Sequence, residues 1–183
     1  QNLQSYYLKR LIMIFKSGSF DSPSISASLA SLEKIKALAF LNCSSLESFI
    51  LPDTLVEIEN RAFEGCSKLE TVTFRGNFST LGEASFKNSG LTDINIPQSV
   101  TEIPKDCFMG CDKITEITLP SAAADGTGGL TIIGENAFRG CTELLTLRIP
   151  NTIERIEENA FEGCTKLHTI EFEEGMRLPF ISN

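Results

Sequence analysis

The chain has 183 residues, of which 42% are hydrophobic and 22% charged, a composition that fits one globular domain or two small ones. Sixteen basic residues against 24 acidic ones give a net charge of −8, which argues against binding to the phosphate backbone of nucleic acids. The mean hydropathy is +0.02 and no run of about 18 apolar residues occurs, so no direct membrane insertion is expected.

Residues 1–31 are predicted to contain a partial repeat followed by an insert. Leu8, Leu11 and Met13 have the spacing of the strand positions found further along the chain. The segment 16–31 holds seven serines and is typical of a loop or a disordered insert. The apolar stretch 11–15 is too short for the core of a signal peptide, so no targeting segment is visible.

From residue 32 to residue 177 the sequence repeats six times with a period of roughly 23 residues. Six phenylalanines, each preceded by a small residue, are separated by 23, 23, 22, 30 and 23 positions. Five of them are followed three positions later by a cysteine. The phenylalanines are Phe40, Phe63, Phe86, Phe108, Phe138 and Phe161, and the cysteines are Cys43, Cys66, Cys111, Cys141 and Cys164. This pattern predicts a solenoid whose stacked units share one core.

Each unit contains an apolar triplet that predicts a strand with one buried face. In the fifth unit the triplet is Leu144, Leu147 and Ile149, whose last two members alternate with polar residues. A proline ends several of these strands, as Pro150 does here. Two further apolar positions close each turn, and a short helical segment carrying the Ala-Phe pair is predicted to follow.

Three places interrupt the period. The third unit, with the residues SFKNSGL at 85–91, is one residue short and lacks the Gly-Cys pair, which predicts a kink or a tightened turn. The segment 121–129 accounts for the 30-residue spacing and is predicted to be a flexible surface loop. Residues 178–183 are interpreted as a tail or as the truncated start of another repeat, because Pro179 stands where an apolar residue belongs.

The phrases AFEGCSKLETVTF, AFRGCTELLTLRIP and AFEGCTKLHTIEF resemble the BspA-like leucine-rich repeats of bacterial and protist surface proteins. The resemblance extends from Leu32 to Met176. It implies an α/β fold, namely a right-handed leucine-rich-repeat solenoid with a parallel β-sheet on the concave side and short helical or irregular segments opposite. It also implies a cell-surface or secreted protein with a role such as adhesion to host or matrix proteins.

The six cysteines are interpreted as core residues in the reduced state. Only Cys107 and Cys111 are close in sequence, and no second pair or nearby histidine completes a zinc site. Disulfides between adjacent repeats remain an alternative, because the spacing of neighbouring strands lies within the range that a disulfide spans. Cysteine is, however, a small residue that is readily buried without forming any bond.

No catalytic, cofactor-binding or metal-binding residues are predicted. His168 is the only histidine and lacks the partners of a catalytic triad, and the stretch DGTGG lacks the Lys-Ser/Thr of a phosphate loop. The seven glutamates between 154 and 174 show no calcium-loop pattern and are expected to be solvated. Asn42 and Asn77 begin possible glycosylation sites, which matter only in a eukaryotic secretory pathway.

The outward positions of the predicted strands form a candidate protein-binding surface, called the strand face below. Solenoids commonly bind extended partners through such a sheet, although a plain solvated sheet has the same composition. The candidate residues are Glu70, Thr71, Thr73, Thr92, Asp93, Asn95, Thr115, Glu116, Thr118, Thr146, Arg148, His168, Thr169 and Glu171.

Two functions from different classes follow. The first is a non-catalytic module of a cell-surface or secreted protein that binds an unidentified protein ligand. The second is an intracellular scaffold or regulatory module, for which buried thiols are equally natural. An enzyme is not expected, since none of the residue groups that catalysis needs is recognisable. The oligomeric state stays open.

Overall fold

The computed structural model describes residues 32–76, 78–176 and 180–181. Within these ranges the chain forms thirteen short strands and no helix. The predicted partial repeat and serine-rich insert at 1–31 lie outside the described residues, as do Asn77 and most of the tail at 178–183. The six predicted units follow one another as the coils of a parallel-strand β-solenoid.

The strands stack in two rows along the solenoid. The first row consists of β2 (Ser48–Ile50), β4 (Thr71–Thr73), β6 (Asp93–Asn95), β8 (Glu116–Thr118), β10 (Thr146–Ile149) and β12 (Thr169–Phe172). The second row consists of β1 (Lys34–Ile35), β3 (Glu57–Ile58), β5 (Thr80–Leu81), β7 (Glu102–Ile103), β9 (Ile132–Ile133), β11 (Arg155–Ile156) and β13 (Phe180–Ile181). All pairs are parallel and join strands of neighbouring coils, so that Ile94 lies beside Ile117 and Leu147 beside Ile170. The predicted right-handed sense stays a prediction.

The core is built from columns of identical positions in successive coils. The six column phenylalanines form an unbroken stack, with ring centroids 4.9–5.6 Å apart and ring planes within 7° of parallel. The inward residues of the strands, such as Ile94 and Ile117, pack against this stack. A single coil cannot bury its own inward side, so the core exists only because the coils stack.

The connections that carry the phenylalanines are turns, and the prediction of helical segments there is wrong for the described residues. In every coil the residues two before and two after the phenylalanine have a positive φ, whereas an α-helix needs a negative φ throughout. These residues are Leu38, Asn42, Arg61, Gly65, Ala84, Asn88, Asp106, Gly110, Asn136, Gly140, Asn159 and Gly163. The backbone N–H groups bond to the next coil instead, as Phe63 N–H does to the Ser85 carbonyl at 2.7 Å.

The shortened third unit keeps its place in the stack through a glycine. Ser89 occupies the cysteine position and is buried, and Asn88 replaces the usual glycine with a φ of 55°. Gly90 follows directly, with its N–H bonded to the Cys66 carbonyl at 3.1 Å. The tightened turn that the sequence predicts is therefore present. The pairing of first-row strands is interrupted between β4 and β6, where this turn lies, and again between β8 and β10, where the loop 121–129 is inserted.

The inserted loop 121–129 is closed by its own hydrogen bonds. Ala123 N–H donates to the Thr127 carbonyl at 2.8 Å, and the Asp125 carboxylate accepts from both the N–H and the hydroxyl of Thr127. Gly126, Gly128 and Gly129 supply positive φ angles. The loop that the sequence predicts is present, and its base is attached to the coils beside it, since Gln98 Nε2 donates to the Ser121 carbonyl.

Candidate protein-binding face

The fourteen predicted residues of the strand face lie on the first-row strands or directly before them, and their side chains point away from the core. All are exposed except Thr92, which is half-buried. The register brings equivalent positions together: Asp93 lies beside Glu116, and Arg148 lies beside Glu171. Because neighbouring parallel strands are about 4.8 Å apart, these side chains form columns that continue from coil to coil.

The outward residues directly before the first-row strands form a column, and hydrogen bonds between neighbouring coils run along it. The Thr92 hydroxyl donates to the Glu70 carbonyl and the Thr115 hydroxyl to the Thr92 carbonyl, each at 3.3 Å. His168 Nδ1–H donates to the Leu145 carbonyl at 2.6 Å. Three of the fourteen candidates therefore stabilise the stacking of the coils. The two columns on the strands themselves remain open to a partner.

Acidic side chains dominate the amino-terminal part of the strand face. Glu47 and Glu70 precede neighbouring strands, and Asp93 and Glu116 lie side by side. None of these four carboxylates takes part in an ion pair with a described residue. Adjacent like charges repel each other, so this part of the face favours a partner with positive charge.

Glu173 organises the other end of the strand face, a role that the sequence does not reveal. Its carboxylate lies 3.3 Å from the Arg148 guanidinium, accepts a hydrogen bond from the Ser121 hydroxyl at 2.5 Å, and accepts another from Asn151 N–H at 3.2 Å. Arg148 thus pairs with Glu173, although its neighbour in the register is Glu171. The contact also fixes the base of the loop 121–129 at the edge of the face.

The cysteine column provides hydrogen bonds within the core. All six cysteines are present as thiols, and five are buried while Cys164 is half-buried. Four of them, Cys66, Cys111, Cys141 and Cys164, donate through S–H to the carbonyl of the column phenylalanine in the preceding coil. The distances are 3.1 Å for Cys66 and Cys111, 3.3 Å for Cys164 and 3.5 Å for Cys141. This bond explains why a small apolar residue with a weak donor recurs there.

We expect the free energy of unfolding to fall as the pH rises from 8 to 10. Burial raises the pKa of Cys66 to about 12 and that of Cys111 to about 11, whereas an unfolded cysteine titrates near pH ~8.5. Above that pH the unfolded chain loses thiol protons that the folded chain keeps. Each such thiol therefore lowers the free energy of unfolding by about 1.4 kcal/mol per pH unit. Urea unfolding at pH 8, 9 and 10 in the presence of a reductant measures the slope.

The double variant Cys66→Ala/Cys111→Ala is the control for this effect. Its free energy of unfolding should fall less steeply with pH, because two of the thiols whose pKa is raised are gone. The lysines, which also titrate at high pH, are unchanged. A slope equal to that of the unmodified chain would show that the buried thiols do not cause the pH dependence.

A groove of about 250 Å³ runs along the turns that carry Phe63, Phe86 and Phe108. It is lined by Asn60, Arg61, Glu64, Glu83, Ala84, Lys87, Lys105 and Asp106. The three cations of this groove are engaged in ion pairs with Glu64, Asp106 and Glu135, so the groove offers no unpaired positive charge.

In the described ranges no group of three metal-ligating side chains converges, and no helix there could cross a membrane.

The family model for the BspA type leucine-rich repeat region, with six copies of the repeat, matches residues 33–127 and 125–178. Among solved structures, a leucine-rich repeat protein from Bacteroides ovatus is 26% identical, with a TM-score of 0.74 over 84% of this chain and 38% of its own. A leucine-rich cell surface protein from Faecalibacterium prausnitzii is 32% identical, with a TM-score of 0.64 over 70% of this chain and 32% of its own.

A leucine-rich repeat protein from T. pallidum is 28% identical, with a TM-score of 0.71 over 82% of this chain and 66% of its own. The chain thus spans only about a third of the length of the Bacteroides and Faecalibacterium proteins. No curated protein matches it.

Proposed function

Because the chain belongs to the BspA-type leucine-rich-repeat family, we propose that it is a non-catalytic protein-binding module of a cell-surface or secreted protein. The observation that supports the proposal is the strand face, which presents exposed side chains on the first-row strands of six successive coils, in register within the pairs β2–β4, β6–β8 and β10–β12. The similarity to a cell surface protein of Faecalibacterium prausnitzii supports the location. A role in adhesion to host or matrix proteins would use the strand face as an extended contact.

The binding surface is proposed to lie on the two strand columns, from Thr71 to Glu171. Few aromatic side chains are present there, and such residues are the usual anchors of tight interfaces. The contact is therefore expected to be weak for a single module and to gain strength when several modules bind together.

The test compares two triple variants that change the net charge by the same amount. The first, Glu116→Lys/Arg148→Glu/Glu171→Lys, alters the strand face. The control, Glu33→Lys/Glu102→Lys/Lys113→Glu, alters exposed residues outside its columns. Both are measured against immobilised collagen, laminin and fibronectin by surface plasmon resonance.

We expect the first variant to lose binding by about tenfold or more, and the control to bind like the unmodified chain. If the unmodified chain and the two triple variants bind equally well, the contact does not lie on the strand face. No binding to any of these surfaces by the unmodified chain would count against adhesion to matrix proteins.

A second candidate function is an intracellular scaffold or regulatory module, for which buried thiols are equally natural. Biotinylation of intact source cells with a reagent that does not cross membranes separates the two locations. Labelling of exposed lysines such as Lys34 and Lys105 is expected for a surface protein and not for an intracellular one.

A further inference from the structure

The row of first-row strands is open at one internal position, between β4 and β6. On their other sides, β4 pairs with β2 and β6 pairs with β8, each over three residues, but no ladder joins β4 to β6. Thr92 N–H donates to the Glu70 carbonyl at 3.1 Å just before the two strands, and the regular pairing ends there. The two strands therefore separate directly after the shortened turn of the third unit.

The inward side chains of β4 are affected by this separation. Val72 and Phe74 point inward from the second coil, yet both are only partly buried. Because β2 pairs regularly with β4 on the other side, the exposed part of Val72 lies toward β6. The corresponding inward side chains of the other first-row strands up to β10 are at most 8% exposed, namely Phe49, Leu51, Ile94, Ile96, Ile117, Leu119, Leu147 and Ile149. The gap beside Val72 and Phe74 is called the opening below.

The opening has an aromatic floor. The Phe74 ring lies 4.8 Å from the Phe78 ring and 6.3 Å from the Phe86 ring, and both of these rings are fully buried. An aromatic side chain that enters from outside would extend this cluster at favourable ring distances. A missing ladder alone does not create such a site, because Ile117 and Leu119 stay buried at the interruption between β8 and β10.

Negative charge lies around the opening on the strand face. The three outward positions of each of the first four coils hold four carboxylates and no cation. These carboxylates, called the acidic row below, belong to Glu47, Glu70, Asp93 and Glu116. Within the described residues, no ion pair involves any of them. The nearest cations along the chain, Lys68, Arg75 and Lys113, lie outside these positions.

The acidic row defines the spacing of a complementary partner. Neighbouring coils are about 4.8 Å apart, so the midpoint of Glu47 and Glu70 lies about 10 Å from that of Asp93 and Glu116, with the opening between them. An extended polypeptide that runs along the solenoid places every second side chain on one side, about 6.8 Å apart. In a segment with the order basic, any, aromatic, any, basic, the aromatic side chain lies over the opening. Each long basic side chain then reaches one pair of carboxylates.

We propose that the opening and the acidic row bind an extended polypeptide segment of this pattern. Its aromatic side chain inserts against Val72 and Phe74, and a lysine or arginine two positions to either side pairs with the acidic row. The proposal rests on the proposed function, since it uses the strand face, and it names the chemistry of the partner. The strand face has few aromatic side chains of its own, so the partner supplies the anchor of the contact.

The test is an NMR titration of the isotope-labelled whole chain with the peptide G-K-T-F-T-K-G. One matched peptide has alanine in place of phenylalanine, and another has glutamate in place of both lysines. We expect the Kd of each matched peptide to be higher by about fivefold or more, and the largest shift changes to occur at the amides of Val72, Phe74 and Ile94. Equal affinity for the phenylalanine and alanine peptides, or no binding of the first peptide, would overturn the proposal.

Variants locate the contact. The pair Glu70→Gln/Asp93→Asn should weaken binding of the phenylalanine peptide about fivefold or more, whereas Glu33→Gln/Glu102→Gln removes two exposed carboxylates outside the strand face and should have no effect. Val72→Phe fills the opening from within, so the phenylalanine and alanine peptides should bind this variant equally. The NMR spectrum shows whether each variant folds. An equal loss in the two glutamate-containing pairs contradicts the proposal, as does a folded Val72→Phe chain that still prefers the phenylalanine peptide.

This site and the proposed function can fail separately. Binding of the phenylalanine peptide at the opening, with no binding to collagen, laminin or fibronectin, supports the site and counts against matrix adhesion. Binding to a matrix protein that the strand-face triple variant loses, with no binding of the peptide, overturns the site and leaves the proposed function in place.

Discussion

Replacing Phe108 by alanine is expected to lower the free energy of unfolding by about 3–5 kcal/mol. The Phe108 ring is fully buried and stacks on Phe86 at 5.6 Å and on Phe138 at 5.3 Å. Its loss removes contacts on both ring faces and leaves a cavity between two rigid coils. Urea unfolding followed by circular dichroism measures the change. A loss of this size is a large fraction of the stability of an ordinary domain, which is about 5–15 kcal/mol.

Phe161→Ala is the matched control, because it removes the same side chain from the same column at the end of the stack. Phe161 is half-buried and, among the rings of the described residues, stacks on Phe138 alone, at 5.4 Å. Its loss should cost about 1–2 kcal/mol, since less apolar surface is returned to water. Equal losses at the two positions would mean that the stack does not act as a continuous core.

The period and the core columns could be predicted from the sequence, because the same local requirement recurs in every coil. Each phenylalanine, cysteine and inward strand residue fills a slot defined by its counterpart one coil away. Their assignment therefore required only an alignment of the chain with itself. The outward direction of residues such as Thr71 and Arg148 followed from strand alternation alone.

The turns were harder to predict because their conformation depends on the neighbouring coil. The residue two positions after each column phenylalanine is Gly or Asn, which favour a positive φ, but Arg61 and Ala84, two positions before it, carry no such signal. The left-handed residues are stabilised by backbone hydrogen bonds to the next coil, such as Asn136 N–H to the Glu158 carbonyl at 3.0 Å. Local propensity does not contain that information.

Contacts between distant segments could not be predicted either. Ser121 and Glu173 are 52 residues apart, and only the insertion before the fifth coil brings them together. The buried pairs Ser85–Cys107 and Ser89–Cys111 differ, because each joins equivalent positions one repeat apart, with Oγ and Sγ atoms 3.3 Å from each other. The third coil thus contacts the fourth through Cys107, which occupies a position that holds alanine or serine in the other coils.

Gly90→Ala is expected to lower the free energy of unfolding by about 3 kcal/mol, the upper end of the usual cost of overpacking. A Cβ atom at this position would lie 2.3 Å from the Ser67 carbonyl oxygen and 2.9 Å from its carbon. Both atoms belong to the backbone of the preceding coil, so no side chain can rotate to make room. Urea unfolding of the variant and of the unmodified chain measures the loss.

Two comparisons show that the shortened turn causes this effect. Gly126→Ala places a Cβ with no atom within 4 Å and meets only the cost of its positive φ, about 1–2 kcal/mol. Replacing residues 89–91 by the turn of the second coil, Cys-Ser-Lys-Leu, restores the missing residue and removes the need for glycine. That replacement should retain most of the stability, since the other coils tolerate the longer turn. If it destabilises the chain as much as Gly90→Ala does, the close approach to Ser67 is not what requires glycine at position 90.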